Sequence, residues 1–149
     1  MIDFRQEETT MLTAKVKWVE GFQFVGESGS GHAIVMDASP EAGMVRTGMT
    51  PMEMLLVGIG GCSGMDVVSV LKKKRQEVID IAVNVSGEKA ESHPQKYTSI
   101  QLEFIITGKN VSDDAVKKAV DLSMDKYCSV KATLEGSAKI SYSYKIVVV

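Results

Sequence analysis

The segment from Thr50 to Leu71 constrains the fold more than any other part of the chain. Thr50-Pro51-Met52-Glu53 has the form of a helix start. Thr serves as the cap, Pro suits the first helical position, and a Glu at the third can return a hydrogen bond to the N–H of the cap. From Met54 to Leu71 the residues are apolar or small nearly all the way round, which predicts a central helix buried on most of its faces. Gly58, Gly60, Gly61 and Gly64 each cost a helix up to about 1 kcal/mol relative to Ala. Their presence predicts a tight crossing beside Cys62, with another helix as the partner. The run is about as long as a membrane span, yet it contains Glu53 and Asp66, and charge at that depth is costly. No membrane association is expected. Lys72-Lys73-Lys74-Arg75 then reads as a helix end that complements the dipole.

Strands group around this helix. Ala14, Val16 and Trp18 alternate with polar residues, Phe22 and Phe24 resume after Gly21, and Ala33 to Asp37 follows a Ser/Gly-rich turn, which predicts a three-stranded meander. Residues 1–11 are polar and aperiodic and read as an N-terminal extension, and residues 37–48 read as a loop. Ile79 to Val85 and Ile100 to Ile106 alternate on either side of a turn at His93-Pro94 and form two paired strands. Ser112 caps a second, amphipathic helix running to about Tyr127. A short helix to Leu134 is closed by Gly136, and Ile140 to Val148 is a last strand. The order βββ-α-ββ-α-(α)-β predicts an α+β fold with a largely antiparallel sheet. A length of 149 residues suits one domain, 1–149. An all-round apolar helix needs more cover than one such domain offers, so a homodimer is expected.

A net charge of -2 offers no basic field to a phosphate backbone, so nucleic acid is not an expected partner. The first residues have no secretory pattern, which makes the cytoplasm the expected location. Two cysteines in a reducing compartment are free or redox-active rather than a structural staple. Cys62 lies about three turns beyond the start of its helix, where the dipole has faded, and Asp66 at i+4 raises the pKa of a nearby thiol. On position alone it reads as a small core residue. Cys128, between Lys126 and Lys131 and near a short helix, has the better local electrostatics. Neither Cys-x-x-Cys nor His-x-x-x-His occurs and the histidines are only His32 and His93, so no metal or cofactor site is expected. Gly58-Ile59-Gly60-Gly61 falls inside the helix and is not a phosphate-binding turn. Glu53 has a sufficient role in the cap, and its carboxylate could also orient an arginine, for which Arg46 in the preceding loop is the candidate.

At Thr50-Pro51-Met52-Glu53-Met54-Leu55-Leu56, Gly60-Gly61-Cys62 and Lys126-Tyr127-Cys128-Ser129-Val130 the chain resembles the OsmC/Ohr family of osmotically inducible and organic hydroperoxide resistance proteins. Pro-Met-Glu and Gly-Gly-Cys are similar to its YhfA-like branch. The resemblance covers nearly the whole chain. It implies an intertwined homodimer with sites at the subunit interface, and a thiol peroxidase in which Cys62 is the peroxidatic residue and Cys128 the resolving one. An organic hydroperoxide would be the substrate and a dithiol the reductant. Two positions depart from the active enzymes. Met52 stands directly after the proline where they carry Glu, which comes here one place later as Glu53. Between Met11 and Pro40 there is no arginine, so Arg46 could supply the activating cation only if its loop folds back. A dimeric binding protein that takes up a small electrophile or thiol compound without turnover is the alternative reading.

Overall fold

The structure is a computed structural model that describes residues 11–38 and 44–149. The N-terminal extension therefore lies, apart from Met11, outside the described residues. The chain forms two compact units divided after Met54.

In the first unit, β1 (Ala14–Glu20), β2 (Gln23–Ser28) and β3 (Ala33–Met36) form the expected antiparallel meander. Phe24 on β2 lies between Trp18 of β1 and Met36 of β3. Gly21 takes a φ of +52° in the first turn, where its carbonyl accepts the Trp18 indole N–H at 2.8 Å. Beyond β3, Asp37 ties down the loop that leads to the long helix. Its carboxylate accepts the Thr47 hydroxyl at 2.7 Å, the Thr47 N–H at 3.1 Å and the Ala38 N–H at 2.8 Å. These bonds hold the Asp37 pKa below its ordinary value, the Thr47 hydroxyl contributing most.

The helix α1 (Pro51–Lys73) begins at the end of this unit and continues into the second. Its start is the predicted reciprocal cap: Glu53 N–H donates to Thr50 Oγ1 at 3.1 Å and Thr50 N–H to Glu53 Oε2 at 2.9 Å. α1 is also a helix long and apolar enough to cross a membrane, by length and composition only.

The second unit is a sheet with helices on one face. β5 (Tyr97–Lys109) lies between β4 (Glu77–Lys89), antiparallel to it, and β6 (Lys139–Val148), parallel to it. The parallel pair departs from a wholly antiparallel pattern because β5 and β6 are joined by a helical crossover rather than a hairpin. That crossover is α2 (Asp113–Leu122), a π-helical turn (Ser123–Tyr127) and α3 (Ser129–Leu134). Register aligns apolar rows across one face: Val85, Leu102 and Tyr142, then Val83, Phe104 and Tyr144, then Ile81, Ile106 and Ile146. Ile100, Leu102, Phe104 and Ile106 are fully buried, together with Ile59, Val67 and Leu71 of α1 and Val116, Ala119 and Val120 of α2. The Tyr142 and Tyr144 hydroxyls donate to Asp121 and Asp113 of α2, each at 3.0 Å. These bonds place α2 over the β6 side.

Two expectations for α1 are corrected. It is not buried on most faces: Ile59, Ser63, Val67 and Leu71 form a single buried stripe, while Val57 is 60% and Met65 74% exposed. Among the described residues one sheet face covers the helix, and its remaining apolar faces stay open. The glycines do not mark a helix crossing either. A Cβ on Gly60 would come within 3.1 Å of Val85 and one on Gly64 within 3.5 Å of Val83, so these two fit α1 against strand β4, whereas nothing lies within 4 Å at Gly58 or Gly61. The helix contact of α1 is made through Ser63, whose carbonyl accepts the Ser123 hydroxyl at 3.3 Å.

Phe104 sits at the centre of this core, so Phe104→Ala should cost about 3–5 kcal/mol in urea unfolding. Tyr142→Phe, which removes only the bond to Asp121, should cost about 1 kcal/mol.

Candidate functional site

Cys62 and Cys128, 66 positions apart in sequence, meet in the second unit. The π-helical turn is what sets Cys128. Its N–H donates back five residues to the Ser123 carbonyl at 2.8 Å, and the chain then bends so that Cys128 becomes the N-cap of α3. Its Sγ accepts the Lys131 N–H at 3.4 Å. Cys62 comes from the third turn of α1, and Asp66 follows one turn later on the same side of that helix. The two sulfurs and an Asp66 carboxylate oxygen all lie within 4.8 Å of one another. Both thiols are free, Cys62 half-buried and Cys128 only 4% exposed.

Ser123 organises the junction. Its buried hydroxyl lies 2.9 Å from Asp66 Oδ2 and 3.3 Å from the Ser63 carbonyl, so one O–H ties the end of α2 to α1 and fixes the Asp66 carboxylate beside the thiols. On sequence Ser123 is one member of the α2 stripe. A hydroxyl in an otherwise apolar row was the only available sign of its role, since a buried hydroxyl requires a partner.

The electrostatics reverse the expectation for Cys128. Burial, first, then Cys62 and Asp66 push its pKa up to about 11, against the Lys131 N–H, which lowers it. The neighbouring lysines are committed elsewhere: Lys126 lies 5.4 Å from the Tyr127 ring centroid, and Lys131 Nζ pairs with Glu135 at 2.9 Å. Cys128 is therefore a protonated thiol at neutral pH.

The other two predicted residues meet at the start of α1. Arg46 Nη2 lies 3.0 Å from Glu53 Oε1 while Glu53 Oε2 serves the cap. Glu53 thus fills both of the roles considered for it, and the loop brings Arg46 to the start of α1. Sequence reasoning missed what holds it there. Thr47, next to Arg46, is gripped by Asp37 and also accepts Gln23 Nε2 at 2.9 Å. Gly48 runs so close to β3 that a Cβ there would lie 2.5 Å from the Val35 carbonyl oxygen.

The sequence matches the family described as OsmC-like protein over residues 43–143. It is 48% identical to Protein YhfA of Escherichia coli strain K12 over 136 residues, which span 91% of this chain and 98% of that protein. A hypothetical protein of known structure from Aquifex aeolicus is 36% identical, with a TM-score of 0.78 over 92% of this chain and 98% of its own. The organic hydroperoxide resistance protein OhrB of Bacillus subtilis is 22% identical, with a TM-score of 0.59 over 89% and 98% of the two chains, and shares the fold. The chain belongs to the OsmC-like family.

Proposed function

We propose that this protein is a cytoplasmic, thiol-dependent peroxidase that reduces organic hydroperoxides. The observation that carries the reading is the convergence of Cys62 and Cys128 as two free thiols. The Cys62 thiolate attacks the distal peroxide oxygen, the O–O bond breaks, and an alcohol leaves with a sulfenic acid on Cys62. Cys128 then attacks that sulfur, a disulfide forms and water leaves. A dithiol reductant returns both thiols, so each turnover consumes one dithiol and one hydroperoxide. The more exposed cysteine meets the substrate and the more buried one resolves it.

A homodimer supplies what one chain lacks. The open face of α1 borders a cavity of about 740 Å³ lined by Leu56, Val57, Gly61, Met65 and Val68 with strand β4, and a second copy is the proposed cover. The second reading, uptake of an electrophile or thiol compound without turnover, is favoured by Asp66, whose negative charge opposes thiolate formation in the pair.

Loss of free thiols on mixing with cumene hydroperoxide, followed by steady consumption of dithiothreitol, decides between the two readings; thiol loss without turnover supports binding. Cys62→Ser should abolish the reaction, and Cys128→Ser should leave a dimedone-reactive sulfenic acid after one turnover. If Cys62→Ser consumes peroxide at the parental rate, the assignment fails.

In the Cys62→Ala variant, alkylation of Cys128 should keep rising about tenfold per pH unit beyond the ordinary thiol value of 9.0. A plateau near that value contradicts the burial argument. Because the folded state holds this proton where the unfolded chain has lost it, Cys128 should lower stability as pH rises from 9.0 towards about 11, and leave it unchanged below. Met65→Glu should convert a dimer to a monomer by light scattering, and a monomeric parent protein contradicts the proposed cover.

A further inference from the structure

We infer that Cys62, Cys128 and Asp66 form a site for a thiophilic divalent cation of the zinc type, and that its occupation excludes peroxide. The three donors come from two separate elements, α1 and the N-cap of α3, which is why no local ligand spacing betrays them in the sequence. Their ligand atoms lie within 4.8 Å of one another. Donors around a tetrahedral zinc, at about 2.3 Å for sulfur and about 2.1 Å for oxygen, stand roughly 3.6–3.8 Å apart. A contraction of about 1 Å at most closes the set. Binding a dication releases the thiol protons, and the metal then offsets the charge of the two sulfurs and the carboxylate.

The ligands already have outer partners of the kind that orient metal donors. The Ser123 hydroxyl holds Asp66 Oδ2 at 2.9 Å and leaves the other carboxylate oxygen to coordinate. The Lys131 N–H supports the Cys128 sulfur at 3.4 Å. Three protein ligands leave a fourth position for water or an anion. Asp66 also borders a cavity of about 560 Å³ together with Ser69, Lys73, Lys74, Leu122 and Tyr127. The two lysines there disfavour free cations in the mouth and suit an anionic fourth ligand. A bound cation takes up both sulfur lone pairs needed for peroxide attack, so metal and hydroperoxide compete for one site.

The metal site shares residues with the peroxidase reading but does not rest on it, since binding is read on the reduced protein with no peroxide present, whereas the exclusion of peroxide rests on that reading. Full-length reduced protein is titrated with Co²⁺ without oxygen and then with Zn²⁺. Expected are one Co²⁺ per chain, a thiolate-to-cobalt charge-transfer band, and loss of the band as Zn²⁺ displaces the probe. Asp66→Asn, at a half-buried position, should fold normally and weaken Co²⁺ binding about tenfold or more, and Ser123→Ala should weaken it about tenfold. Absence of the band, a band that survives Cys128→Ser, or unchanged affinity in Asp66→Asn overturns the site. Failure of peroxide turnover with an intact cobalt band overturns the peroxidase reading, and the exclusion of peroxide with it, but not the metal site.

Discussion

The shared hydrogen bond of Ser123 to α1 is the constraint on which the site depends. Cys62 lies on one helix and Cys128 at the head of another, and nothing in either local sequence draws them together. The Ser123 hydroxyl, fully buried between the Ser63 carbonyl and Asp66, joins the two helices one residue away from Cys62 and five residues before Cys128. The π-helical turn completes the arrangement, because the same Ser123 accepts the Cys128 N–H through its carbonyl. One residue thus sets the helix contact, the carboxylate orientation and the backbone of the buried thiol. Such turns widen a helix by one residue, and they concentrate where a side chain must be re-aimed.

The electrostatic consequence falls on Cys128: burial, Cys62 and Asp66 act in one direction, and a backbone N–H opposes them. The start of α1 follows a different logic. Glu53 divides its two oxygens between the helix cap and Arg46, so the position of the guanidinium is coupled to the start of α1. Asp37, through Thr47, and the close approach of Gly48 to Val35 fix the loop that delivers it. A loop arginine with neither a cap carboxylate nor such an anchor would be a solvated charge worth little.

Most of the element order was legible because it rests on local chemistry. The Thr50-Pro51-x-Glu53 start, the alternation of Ile100 to Ile106 and the Ser112 cap each follow from a few neighbouring residues, and each occurs where expected. What was not legible is non-local. The burial of α1 depends on what covers it, and the parallel pairing of β6 depends on the crossover. The partners of Gly60 and Gly64 proved to be strand valines rather than a helix, which close packing at a glycine does not distinguish. For Cys128, the nearby lysines suggested activation, yet Tyr127 and Glu135 engage them. Position in sequence counts charges without showing which are already in use. The cysteine pair itself entered through family resemblance, since local chemistry made Cys62 a core residue beside an unhelpful Asp66.

The angular order around α1 explains why that residue is half-buried. At about 100° per residue, Ile59, Ser63 and Val67 fall within a narrow sector that faces the core. Gly60 and Gly64 lie on one flank of it, against Val85 and Val83 of β4. Cys62 and Asp66 lie on the other flank, facing Ser123 and Cys128. Val57, Gly61, Met65 and Val68 occupy the opposite side, and it is these that the chain leaves open. Cys62 is therefore the position where buried core passes into uncovered apolar surface. A thiol placed there is reachable from the open side and faces Cys128 on the core side. Any surface that covers the open face, a second copy included, thereby adds an outer wall beside that sulfur.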